Sequence, residues 1–170
     1  MPSGLSIDDD VGFRGSAGAA VVAINKAIKL GIYDPSLYNI TFTWYFDQCD
    51  ASLSGGYAAQ MISRDQVDAI MGPVCPPSSQ VVGALAAFHK VPVFTWGVAM
   101  SADFYGSQIY KTTQLMSGTV RGTMVALANV LNKFNWTSVG FVYNDAESAS
   151  ENIPICGSFS GVFEATAFSD

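Results

Sequence analysis

Residues Val67 to Trp96 read VDAIMGPVCPPSSQVVGALAAFHKVPVFTW, and this stretch decides the fold. Its two outer runs, Val67–Met71 and Val91–Trp96, are short, rich in β-branched or aromatic residues, and bounded by Gly, Pro or Asp, which are the marks of strands. VDAIM reads as a strand buried on both faces, as in a parallel sheet. Between the two runs, Val81, Leu85 and Phe88 repeat at helical spacing. Ser78 and Ser79 precede them as capping candidates.

The same alternation extends in both directions. Ile40–Phe46 (ITFTWYF), Ile109–Thr113 (IYKTT) and Ser138–Tyr143 (SVGFVY) are further strand candidates. Helical stripes run through Ala17, Val21, Ile24 and Ile28, through Leu53, Tyr57 and Met61 after Asp50 or Ser52, and through Val120, Met124, Leu127, Leu131 and Phe134 after Ser117 or Thr119. Helices and strands in alternation predict an α/β fold with a parallel sheet and right-handed crossovers. The first helix has no convincing strand before it, and that strand is usually central in a doubly wound sheet. The expectation is a chain whose beginning is missing.

Composition narrows the function classes. Hydrophobic residues make up 49% and charged residues 13%, so a sizeable core can form. Net charge is −6, and no Lys/Arg cluster exists to neutralise a row of phosphates, which disfavours nucleic acid. The longest uncharged run, Ala69–Phe88, contains Pro73, Pro76 and Pro77, which break any membrane-spanning helix. The N-terminus, MPSGLSIDDD, lacks the basic start and apolar core of a signal peptide. No Walker motif or GxGxxG is present. His89 is the single histidine, placed at a helix end, and no Ser/His/Asp set assembles around it. Neither metal ligation nor catalysis is expected.

In open α/β sheets, ligands bind outside the carboxyl ends of the strands. Here those ends are Asp47–Asp50, Gly72–Ser79, Gly97–Ser101 and Gln114–Ser117. GPVCPPSS turns sharply after a buried strand and opens a helix, so backbone N–H groups and the hydroxyls of Ser78 and Ser79 suit an anion or a ligand carboxylate. Simple helix capping is the plainer reading of the same serines. Trp96, Gly97 and Ser101 are the other ligand candidates on that edge. Trp96 serves equally as a stacking surface or as core.

Three cysteines, Cys49, Cys75 and Cys156, share no CxxC spacing. Cys49 and Cys75 each follow a strand candidate, so both fall at one edge of the sheet. A disulfide there would contribute roughly 3 kcal/mol by the loop-entropy relation. Two unrelated buried thiols are the alternative. Asn39-Ile40-Thr41 and Asn135-Trp136-Thr137 are N-glycosylation sequons, relevant in a secreted chain.

WYFDQCD, then VDAIMGPVCPPSSQVVGALAAFHKVPVFTWG, then FNWTSVGFVYND resembles the receptor family ligand-binding region, with greatest similarity to the extracellular domains of receptor guanylyl cyclases and natriuretic peptide receptors. The resemblance covers about residues 11–145 and implies a periplasmic-binding-protein-like fold of two lobes. Residues 1–116 would form the first lobe and 117–170 the beginning of the second. It implies a Cys49–Cys75 bridge, an extracellular small-molecule or peptide ligand, a homodimer, and a place on the outer face of the plasma membrane within a single-pass receptor. In natriuretic peptide receptors a chloride sits near the corresponding GPxC turn, held by backbone N–H groups and a serine hydroxyl. Val74 and Cys75 would supply the backbone groups here. The matching serine has no counterpart, because WYF stands before Asp47, and this weighs against chloride. A soluble solute-binding protein and a glutamate-receptor-like ectodomain are the alternatives.

Overall fold

A computed structural model describes residues 13–96, 104, 107–140 and 142. The chain divides into two compact units, Met1–Phe46 and Asp47–Asp170.

In the first unit, α1 (Phe13–Lys29) has Lys26 and Lys29 in its last turn, where positive charge suits the helix C-terminus. Its apolar stripe is helical as expected, yet none of its residues is buried. The expected strand Ile40–Phe46 is absent: these residues take no regular structure. The alternating pattern still has a consequence, because Phe42, Trp44 and Phe46 gather with Phe13. The Phe13 ring meets Trp44 edge-on at 4.6 Å and Phe46 at 5.3 Å. Phe42 stacks on Trp44 at 5.4 Å. Side-chain alternation alone makes no strand, which needs a hydrogen-bonded neighbour. The connecting turn is tied by Asp34, whose carboxylate accepts from Ser36 Oγ at 2.7 Å and Ser36 N at 2.8 Å. The hydroxyl bond first, and then the amide bond, hold that carboxyl below the ordinary range.

The second unit contains α2 (Ala51–Ser63), β1 (Ile70–Met71), α3 (Pro76–His89), β2 (Val93–Thr95), β3 (Thr113–Leu115) and α4 (Val120–Lys133). The sheet order is β1-β2-β3, and both pairings are parallel. Ile70 lies opposite Val93, and Val93 opposite Thr113. β1, α3 and β2 thus form the strand–helix–strand unit that the sequence predicts. α3 packs on β2 and β3, and α2 packs on α3. Ala58 of α2, Ile70 of β1, Val82 and Ala86 of α3, and Val93 of β2 form the core, with Met61, Ile62, Val67, Leu85 and Val91 packed around it.

Several elements differ from expectation. β1 and β2 are shorter than Val67–Met71 and Val91–Trp96, and Met71 is exposed, so β1 is not buried on both faces. The third strand lies at Thr113–Leu115 rather than Ile109–Thr113, because Thr113 N turns back onto Tyr110 O at 2.9 Å and ties the earlier residues into a turn. α3 begins at Pro76, so Ser78 and Ser79 lie inside the helix instead of capping it. The prolines explain this shift: their fixed φ is already helical, and their missing N–H groups cost nothing in a first turn. Residues 138–140 and 142 form no strand, and the remainder of the Ser138–Tyr143 expectation lies outside the described residues.

Candidate functional site

The strands are parallel, so their carboxyl ends share one edge. Gly72, Trp96 and Met116 stand immediately past β1, β2 and β3 there. Backbone bonds hold the edge in register: Gly72 N donates to Phe94 O at 2.7 Å, and Met116 N to Thr95 O at 2.8 Å. Gly72 has φ +95, a conformation that glycine adopts without a Cβ penalty. The chain then turns through a cis Gly72–Pro73 bond into α3.

The Pro73 carbonyl is the centre of this turn. Ser79 Oγ donates to it at 2.8 Å, and Thr95 Oγ1 donates to it from the end of β2. The two hydroxyl oxygens are 3.1 Å apart, and Ser79 and Thr95 are both fully buried. Ser79 is therefore committed within the protein, tying the start of α3 to β2. Thr95 was not among the residues singled out from sequence. Its only signal was a hydroxyl at the end of an otherwise apolar strand.

Ser78 is different. It is fully buried, and its hydroxyl has no hydrogen-bond partner among the described residues. A buried hydroxyl without a partner costs about 1–3 kcal/mol, and the hydroxyls of Thr112 and Thr113 are in the same position among the described residues. Pro76 and Pro77 have no N–H to offer. Among the described residues, the turn's own backbone bonds use the Ser79 N–H, which donates to Cys75 O at 2.9 Å, and do not use the N–H groups of Val74, Cys75 or Ser78. Cys75 and Ser78 are themselves buried, and Val74 is half-buried. The Trp96 ring lies beside the turn, with Cη2 3.9 Å from where a Cβ on Gly72 would stand.

Cys49 and Cys75 are joined in a disulfide, with Cα atoms 5.5 Å apart. Cys75 is the N-cap residue of α3 and makes no side-chain cap bond. Cys49 directly precedes Asp50, the N-cap of α2. The bridge therefore clips together the starts of two packed helices. The loop carrying Cys49 is itself well tied. Asp50 Oδ1 accepts from Ser52 N at 2.8 Å and Leu53 N at 2.9 Å. Ser54 Oγ reaches Asp47 Oδ2 at 2.6 Å and Asp50 O at 2.8 Å. Gln48 and Cys49 take positive φ values of 51 and 58, which turn the chain sharply enough to present the sulfur.

Gly97, Ser101 and Cys156 lie outside the described residues. Asn39 and Asn135 are both exposed. His89 ends α3 with its ring edge-on to Phe88 at 5.1 Å, away from the turn at the other end of the helix. No group of three or more His, Cys, Asp or Glu residues able to hold a metal stands among the described residues. No helix among them is long and apolar enough to cross a membrane.

Residues 18–159 match the receptor family ligand binding region. The chain belongs to this family. Similar proteins include two receptor-type guanylate cyclases of Caenorhabditis elegans. One, gcy-20, is 34% identical over 140 residues, covering 82% of this chain and 12% of that protein. The other, gcy-14, is 36% identical over 135 residues, covering 79% of this chain and 12% of that protein. The chain thus spans about an eighth of the length of these curated relatives. A solved structure with a similar fold is the solute binding protein of an ABC transporter from Rhodopseudomonas palustris, in complex with 3,4-dihydroxybenzoic acid. Its TM-score is 0.58 at 19% identity, over 91% of this chain and 41% of that one. That likeness shows the periplasmic-binding-protein-like fold. For a chain of the receptor family ligand binding region, the rim at the carboxyl ends of the strands is the place to look for a ligand.

Proposed function

We propose that this chain is part of the extracellular ligand-binding region of a receptor-type guanylate cyclase, on the outer face of the plasma membrane. The observation that carries this is identity of 34–36% to two such cyclases across about four-fifths of the chain. The chain itself performs no catalysis in this reading. A ligand is sensed outside the cell, and a change in lobe closure or in a homodimer surface passes the signal inward to a cyclase module. The first lobe ends near residue 116, and the second begins at Ser117.

The ligand presents an anionic group to the turn Val74–Ser78. The support is chemical: three N–H groups at the mouth of a helix, plus a buried hydroxyl without a partner, are suited to receive negative charge. The Trp96 ring offers a flat apolar wall beside that group.

The test uses the complete coding sequence that contains this chain, expressed in animal cells. Cyclic GMP production and labelling of an epitope placed within this chain on intact cells are the expected results. A full-length product with no membrane span and no cyclase activity would instead support a soluble solute-binding protein.

A further inference from the structure

α4 ends in a way that bears on the second sequon. Phe134 N donates to Val130 O at 3.1 Å, and the chain then leaves the helix through Asn135 at φ +52. Asparagine is among the few residues that tolerate this left-handed conformation. Trp136 N closes the turn on Leu131 O at 2.9 Å. Asn135 and Thr137, the two recognition residues of the sequon, are both exposed. On either side of Asn135, the rings of Phe134 and Trp136 stack, with centroids 5.3 Å apart and planes 27° from parallel. Phe134 and Trp136 are 57% and 59% exposed.

We propose that Asn135 carries an N-linked glycan whose first sugar rests on the Phe134–Trp136 pair. This rests on the secretory reading given above. The donor is a lipid-linked oligosaccharide. The Asn135 amide nitrogen bonds to the anomeric carbon of its first N-acetylglucosamine, and the bond from that carbon to the lipid pyrophosphate breaks. The pyrophosphate leaves with the electron pair, and the amide proton passes to a base of the transferase. The sugar's C–H face then meets the outward, negative face of one ring of the stacked pair, an attraction of ring quadrupole for polarised C–H. The tether between the two rings keeps the sugar within reach and covers an otherwise exposed patch. Asn39 is exposed too, but it is followed by Ile40, so no ring pair brackets it.

The experiment takes the full chain through the secretory pathway of eukaryotic cells. Glycopeptides and disulfide-linked peptides are mapped in the same sample. The release of the glycan by an endoglycosidase that cuts between its first two sugars is then timed. We expect an occupied Asn135 and release several-fold faster in Trp136→Ala than in wild type, with Trp136→Phe keeping the slow rate. Both variants retain the Asn-X-Thr sequon. A bare Asn135 in material whose Cys49–Cys75 bridge is formed overturns the proposal and leaves the receptor reading standing. A bare Asn135 together with free thiols overturns both. An occupied Asn135 with equal release rates in all three forms overturns the seat on the rings.

Discussion

Replacing the two hydroxyls that share the Pro73 carbonyl tests how the turn from β1 into α3 is built. Ser79 Oγ and Thr95 Oγ1 both reach that oxygen, and both residues are fully buried. In Ser79→Ala the carbonyl keeps Thr95, and in Thr95→Val it keeps Ser79. Each single change therefore removes one neutral hydrogen bond and should cost about 1 kcal/mol. In the double variant the carbonyl faces two apolar side chains and loses both donors. An unsatisfied acceptor adds about 1–3 kcal/mol, reduced here because Pro73 is only half-buried. The double change should thus cost about 3 kcal/mol, roughly 1 kcal/mol more than the two singles together, within the range seen for coupled neighbours. Urea denaturation of the full chain followed by tryptophan fluorescence gives all four stabilities, and an unchanged m-value confirms a common unfolded state. Losses that add within ~0.3–0.5 kcal/mol would refute the shared carbonyl.

Other substitutions probe neighbouring features. Asp50→Ala removes the acceptor for two N–H groups at the start of α2 and should cost about 1 kcal/mol in thermal unfolding, while Asp50→Ser keeps most of it. Gly83→Ala places a Cβ 2.7 Å from Thr113 Oγ1 and 3.1 Å from Tyr110 Cδ1. That crowding should outweigh the gain in helix propensity and lower stability by about 1 kcal/mol. Gly56→Ala, with nothing within 4 Å of its Cβ, should raise stability by about 0.5–1 kcal/mol under the same urea titration. Ser78→Ala removes a buried hydroxyl that has no partner, so it should stabilise the ligand-free chain by about 1 kcal/mol. The same change should weaken binding of a carboxylate or halide titrated against Trp fluorescence; unaltered affinity would place the anion elsewhere.

Much of the second unit was legible in the sequence because its signals are local. Asp50 and Thr119 cap α2 and α4 with side-chain oxygens, and both were readable as caps. The parallel pairing of β1 and β2 followed from two apolar runs flanking a helical stripe. Ser78 and Ser79 misled as caps because two prolines ahead of them already satisfy the demands of a first turn, which moves the helix start to Pro76. Ile40–Phe46 has the composition of a strand, but composition cannot supply a hydrogen-bonded neighbour. Its rings found Phe13 instead. In the site, the hydroxyls of Ser78 and Ser79 look equivalent in sequence. Only the packing of Thr95 against Pro73 separates them, leaving one spent and the other open.

A disulfide pins two helix starts together near the carboxyl-end rim of the sheet. Peptide mapping without reductant, on the full chain secreted from eukaryotic cells, tests this most directly. A linked peptide pair containing Cys49 and Cys75, unlabelled by thiol alkylation, is the predicted result. Quantitative alkylation of both residues in the folded, secreted protein would contradict it.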